Sequence, residues 1–98
     1  MIYHVTTKAQ WQQAQEQGYY EAPSLAVENF IHLSKAEQVE GVLQRYYKNI
    51  PDLVLLHVDE NKLTAELKYE LAPSIQQEFP HLYGTLNIDA VTKVETIR

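Results

Sequence analysis

The sequence contains no cysteine. Disulfides, thiolate metal ligands and thiol nucleophiles are therefore excluded, and a reducing, cytosolic setting is the expected one. Positive charge is also scarce. Eight Lys and Arg stand against thirteen Asp and Glu, for a formal net charge of −5, so the basic footprint of a general nucleic-acid binder is missing. A single phosphate held by a few donors and a helix N-terminus stays compatible with that balance. Long apolar runs are missing as well: none approaches the roughly 18 residues that a membrane span needs. The opening string MIYHVTTK lacks the basic segment and following apolar stretch of a signal peptide. No membrane association is expected.

What is present fits one small globule spanning residues 1–98. Its 45% hydrophobic and 21% charged content is that of an ordinary folded domain. A domain of this size buries a thin core, with little room for an enclosed ligand cavity, so any site should be an open cleft.

Residues 2–6, IYHVT, are β-prone and run into threonines that can cap a helix. KAQWQQAQEQ follows with straight-chain helix formers, with Ala9, Trp11 and Ala14 as core contacts and Gly18 at the position where positive φ is wanted. Residues 19–29 carry a proline and no sustained period, which predicts a loop with a brief strand at Tyr19-Tyr20. FIHL reads as a short buried strand. Ser34 with Glu37 three residues on reads as a capping box, and Val39, Val42, Leu43 and Tyr46 recur at helical spacing, predicting a helix over about 35–48 that Pro51 stops.

DLVLLHVD is the strongest strand, with four aliphatics in a row implying burial on both faces. LKYE reads as a further strand, and residues 71–82, with two prolines, as an irregular loop. IDAVTKVETI alternates and suits a final half-buried strand. Two helices in the N-terminal half and most strands in the second half depart from βαβ alternation, and indicate a compact α+β domain.

Imidazole titrates nearest neutrality, so the four histidines are the first places to look for chemistry. His4 sits inside the first strand, and His32 alternates with Ile31 and Leu33 just before a helix start whose free N–H groups could hold an anion. If the two short strands are neighbours, both rings flank one cleft. His81 lies in FPHLYG, where Pro80 and Gly84 set the backbone path and Tyr83 supplies a hydroxyl. His57 interrupts the central strand and is expected to pack or face outward. Each ring has a structural alternative, because a buried histidine satisfies its nitrogens on backbone or hydroxyl partners.

Glu70, at the end of LKYE, could accept a ribose hydroxyl or act as a base, and it has the plainer alternative of a solvated carboxylate. Ser34 is a helix cap whose hydroxyl could also meet a ligand. Trp11, Phe30 and Tyr46-Tyr47 read as core packing. The spacings of His4, His32 and His81 match no local ligand motif, so no metal is expected; metal-dependent hydrolysis is the competing reading of a three-histidine cluster.

Five strings, IYHVTT near the start, ENFIHLS at 28–34, LVLLHVD at 53–59, LKYE at 67–70 and FPHLYGTL at 79–86, resemble the bacterial domain-of-unknown-function family 952, in order and over nearly the whole chain. That resemblance implies a small split β-sheet related to the ADP-ribosyltransferases and most like the catalytic half of RNA 2′-phosphotransferases. Those enzymes carry a Tyr-His-Gly-Thr string and, after a helix, a His-Val-His-Leu-Ser string. The counterparts here are Tyr3-His4-Val5-Thr6 and Phe30-Ile31-His32-Leu33-Ser34.

The resemblance implies that His4 contacts the ribose of bound NAD and that His32 and Ser34 line the same cleft. It offers Glu70 and His81 as functional positions of the unknown-function family and not as matched phosphotransferase residues. Taken with the residues themselves, Tyr3, Thr6 and Tyr83 join His4 and Ser34 as candidates on the nucleotide side, and His32, Glu70 and His81 are the candidates for chemistry. Val5 stands where those enzymes have glycine, and Asn29-Phe30-Ile31 precede His32 without the arginine found there. The expected activity is transfer of ADP-ribose or a phosphate-linked group from NAD or a related nucleotide. The alternative is a non-catalytic module that uses the same cleft to bind a small ligand or a protein.

Overall fold

The first twenty residues follow their local signals. In the computed structural model, which describes residues 1–98, strand β1 (Ile2–Thr7) passes directly into helix α1 (Lys8–Gln17). The Thr7 hydroxyl accepts from the Gln10 N–H at 3.1 Å, satisfying one of the free donors of the first turn. Gly18, at φ 94°, ends the helix and donates its N–H to the Ala14 carbonyl at 2.8 Å. Trp11 and Ala14 face the core. Strand β2 (Tyr19–Tyr20) follows.

The segment expected to be a loop up to residue 29 instead holds a second helix, α2 (Pro23–Glu28). Pro23 occupies its first turn, where the missing N–H costs nothing, and Asn29 closes it at φ 70°. The domain thus has three α-helices, not two, all in the first half. After strand β3 (Ile31–His32), a 3₁₀ turn (Ala36–Gln38) leads into helix α3 (Val39–Tyr46). The cap of that segment differs from the Ser34/Glu37 box: the Gln38 side-chain oxygen accepts from the Lys35 N–H at 2.9 Å, while Ser34 is still extended.

Strand β4 (Leu53–Val58) is central, flanked by β1 and by β8 (Val91–Thr96), both antiparallel to it. Val54, Leu56 and Val58 point into the core, whereas Leu55 and His57 on the other face are only half-buried. Burial on both faces holds only at the start of the strand, where Leu53 is fully buried beside Val54, and is one-sided beyond it. β8 is more exposed than its alternation implied, because it is an edge strand and only its first residue is half-buried.

The largest departure lies at residues 71–82. Strands β5 (Glu66–Ala72) and β6 (Gln77–Tyr83) form a hairpin, and β6 is the middle strand of a second sheet in the order β3, β6, β5. Pro80 sits in that middle strand. It is tolerated because its carbonyl accepts from the Leu33 N–H at 2.9 Å at the point where the two-residue β3 ladder ends, so only one return bond is lost. The hairpin turn uses Gln76 at φ 56°. A third, two-stranded ribbon pairs β2 with β7 (Leu86–Asn87). Ile2, Trp11, Tyr20, Ile31, Leu33, Leu56, Leu82 and Leu86 are the larger members of the common core. The architecture is α+β.

Gly18 provides a clean test of the α1 boundary. A Cβ there meets nothing within 4 Å, so any cost of Gly18→Ala is backbone strain at positive φ alone. We expect a loss of about 1 kcal/mol in urea unfolding at unchanged m-value; an unchanged or raised stability would contradict the left-handed cap.

Candidate functional site

The site is organised by the way β3 changes partners. Successive residues of a strand present their N–H and C=O groups to opposite sides. Leu33 donates to Pro80 of β6, while Ser34 turns the other way and exchanges two backbone bonds with Tyr3 of β1, at 2.8 and 2.7 Å. His32 shares the orientation of Ser34, so its carbonyl also points toward β1. There it accepts a hydrogen bond at 2.7 Å from His4 Nδ1. A buried imidazole thus spans the seam between the two three-stranded sheets.

His4 has no free nitrogen. Because Nδ1 donates to a carbonyl, the neutral ring presents a bare Nε2, which accepts from the Tyr20 hydroxyl at 2.8 Å. Tyr20 Oη lies 3.0 Å from Thr6 Oγ1, which lies 2.9 Å from the Gln10 side-chain amide; with the Tyr20 hydroxyl donating to His4, the Thr6 hydroxyl donates to Tyr20. Burial pushes the His4 pKa down to about 4, the bond to the His32 carbonyl offsetting only part of that. Burial likewise raises the Tyr20 phenol to about 12. The string that would have met a ribose directly is therefore closed on itself, and His4 and Thr6 act as supports.

The same alternation gathers His32 and His81. They oppose one another across β3 and β6 in a pair that exchanges no backbone bonds, the geometry in which side chains approach most closely. Their ring centroids are 5.1 Å apart, edge to face. Phe30 stacks on His81 at 4.1 Å and touches His32 at 4.7 Å and Tyr83 at 5.3 Å. Lys68, Glu70, His81 and Tyr83 lie on one face of the β5–β6 hairpin, opposite the core face that carries Leu67 and Leu82.

Each of these two imidazoles has its own carboxylate. His81 Nδ1 donates to Glu70 Oε1 at 2.8 Å, and the Tyr83 hydroxyl donates to the same oxygen at 2.5 Å. Those bonds, Tyr83 first and His81 second, hold the Glu70 carboxyl below the usual carboxylate range, and the carboxylate in turn raises the Tyr83 phenol. His32 Nε2 lies 2.6 Å from Glu28 Oε2. One nitrogen of each ring, Nε2 of His81 and Nδ1 of His32, is left without a protein partner. No buried side-chain nitrogen or oxygen is unsatisfied, so the His81 nitrogen reaches solvent, and the His32 side chain is itself half exposed.

These groups border a groove of about 750 Å³ whose lining includes His4, Tyr20, Glu28, His32, Ser34 and His81, with Val42, Tyr46 and Tyr47 along α3 and its end, and Ser74 and Ile75 from the hairpin turn. No lysine or arginine lines it. The helix face read as core packing is instead only half-buried, with Tyr46 66% exposed. Phe30, also read as core, is the stacking partner of the site.

Of the residues singled out from sequence, His4, His32, Ser34 and His81 border the groove, and Glu70 and Tyr83 stand behind His81. Tyr3 does not join them; its ring packs edge-on against His57, 5.0 Å away, and its part in the site is the backbone bridge to Ser34. His57 is tied to Glu95 at 3.0 Å, apart from the groove. Glu28 and Tyr20 were not singled out. The four-residue spacing of Glu28 and His32 was a readable signal for the first, whereas nothing local marks the second. No group of three or more His, Asp or Glu side chains is arranged to hold a metal, and no helix is long and apolar enough to cross a membrane.

The chain belongs to the protein family of unknown function DUF952, whose family model matches residues 5–94. It is similar to the crystal structure of protein CC0527 from Caulobacter crescentus, at 33% identity and a TM-score of 0.89 over 97% of this chain and 83% of that one. A double mutant of the same protein gives 32% and 0.88 over the same shares. Its solution NMR structure gives 34% and 0.80, over 95% of this chain and 80% of that one. No curated protein matches. The family description carries no activity, and the ADP-ribosyltransferase likeness finds no support in these relatives.

The buried state of His4 makes stability depend on pH. Its folded pKa, about 4, lies below the unfolded value of 6.5. As pH falls below 6.5 the unfolded chain takes up a proton that the folded chain refuses. Stability is thus full above pH 6.5 and declines by about 3 kcal/mol by pH 4. Urea unfolding across this range should show that decline in the wild type and a shallower one in His4→Gln. Parallel curves for the two proteins would refute a neutral, buried His4.

Proposed function

We propose that the groove binds NAD or a related nucleotide as substrate and that His81, oriented by Glu70, serves as the base of an ADP-ribosyl transfer. The observation that carries this reading is the His81–Glu70 pair. A carboxylate fixes Nδ1 as the donor, which leaves Nε2 bare and open to solvent beside the groove. The groove volume falls within the range of small-molecule sites. The flat stack of Phe30 and His81 offers a surface suited to a heteroaromatic ring.

In this reaction the C–N bond from the ribose to nicotinamide breaks, and its electron pair leaves with nicotinamide. An acceptor hydroxyl oxygen forms the new bond to the same carbon, and its proton passes to His81 Nε2. Glu70 steadies the resulting imidazolium, and its lowered carboxyl keeps it ionised for that task. Ser34 is available to a ribose hydroxyl. His4 holds the His32 backbone in place and touches no reacting atom.

A second reading rests on the lack of lysine and arginine in the lining. A diphosphate would find only imidazolium charge there, which favours a non-catalytic groove for an uncharged small ligand or a protein segment. Calorimetric titration with NAD, together with a nicotinamide-release assay, separates the two. Transfer requires heat of binding in the wild type and nicotinamide release that His81→Ala lowers about 100-fold or more. Binding without release in either protein supports the module, and no heat at millimolar NAD removes the nucleotide.

A further inference from the structure

The backbone of β5 leaves a set of unpaired donors and acceptors that match a second copy of themselves. Pro80 points its carbonyl at Leu33, away from β5. Its opposite number across the hairpin, Tyr69, therefore sits in a pair that exchanges no bonds, and turns its N–H and C=O outward. By the two-residue repeat, Leu67 and Leu71 do the same. β5 is the end strand of its sheet, so all three residues offer free backbone groups along an open edge.

Read about Tyr69, the strand ELKYELA is self-complementary in the antiparallel sense. Tyr69 meets Tyr69, Leu67 meets Leu71, and Lys68 meets Glu70, each pair occurring twice by symmetry. The outward-facing residues Leu67, Tyr69 and Leu71 fall at the bonded positions, and Lys68 and Glu70 at the positions where side chains lie closest. Tyr69 and Leu71 are 43% and 57% exposed, and they share one face of the strand. The other open edge, β8, is a poorer template: a bulge breaks its register beside Val58, and Val94 is its one exposed large apolar residue.

We propose that β5 pairs with the β5 of a second copy of this chain across a two-fold axis at Tyr69, joining two three-stranded sheets into one of six strands. The pairing sets the second copy's Lys68 directly across from Glu70, the carboxylate that holds His81. The site described above thereby gains a second cation beside Glu70, whose carboxyl this chain's own Lys68, over the Tyr83 ring at 5.0 Å from its centroid, already helps to keep ionised.

Sedimentation of the wild-type protein tests the pairing without any nucleotide, so its outcome is independent of the proposed activity. The expected mass is twice the 11.4 kDa of one chain. Lys68→Glu, which sets like charges opposite each other twice, should weaken the dimer about tenfold. Because the chain lacks cysteine, Tyr69→Cys places one thiol per chain at the axis, within disulfide reach of its symmetry mate. Mild oxidation should link it as a dimer while Val94→Cys stays unlinked. A wild type that sediments as a monomer up to its solubility limit overturns the proposal, and so does faster linking of Val94→Cys than of Tyr69→Cys.

Discussion

The hydrogen bond from His4 Nδ1 to the His32 carbonyl is the constraint on which the rest of the structure depends. A strand of two residues cannot hold a sheet by itself, and β3 must serve two sheets at once. It does so by alternation: Leu33 is spent on β6, His32 and Ser34 on β1. An imidazole suits the place because it donates on one edge while accepting on the other, which lets a single buried side chain close the seam and anchor Tyr20. A carboxylate or an ammonium in the same position would carry charge into the core at a large desolvation cost.

From that seam the groove follows. Fixing the backbone of His32 fixes its pairing with His81, and the pairing without backbone bonds brings the two rings together. The open nitrogens belong to the rings that have carboxylate partners, and the closed ring is the one buried between sheets. His4 and His81 are buried almost equally, 7% and 9% exposed, so the partner on the second nitrogen and not depth separates the closed ring from the open ones. Glu70, at the edge of the sheet, stays ionised because two donors converge on it.

Much of this was legible in the sequence where a local rule sufficed. The Thr7 cap, Gly18, the helix between them and the aliphatic run of β4 declare themselves through turn chemistry and pattern, and His4, His32, Ser34 and His81 stood out by residue type. What was misread depends on partners distant in the chain. Pro80 marks a loop by every local rule, and sits in a strand only because β3 ends beside it. Phe30 and Tyr46 looked like core because apolar character does not tell a packed face from a groove wall, as at Tyr46, or from a stacking partner of a histidine, as at Phe30. The cap of α3 shifted from Ser34 to Lys35 and Gln38 because Tyr3 had already claimed the Ser34 backbone. Helix α2 and the Glu28–His32 spacing were local signals passed over, since Pro23 is well placed for a first turn and the two side chains are four residues apart.

The central claim is that His4 is a neutral strut with its proton on Nδ1. Long-range proton–nitrogen correlation NMR of the histidine rings at neutral pH reads that tautomer directly. The account requires one imidazole with a protonated Nδ1, a bare Nε2 and slow solvent exchange, assigned to His4 by its absence in His4→Gln. A proton on Nε2, or a His4 ring in rapid exchange with solvent, would contradict it.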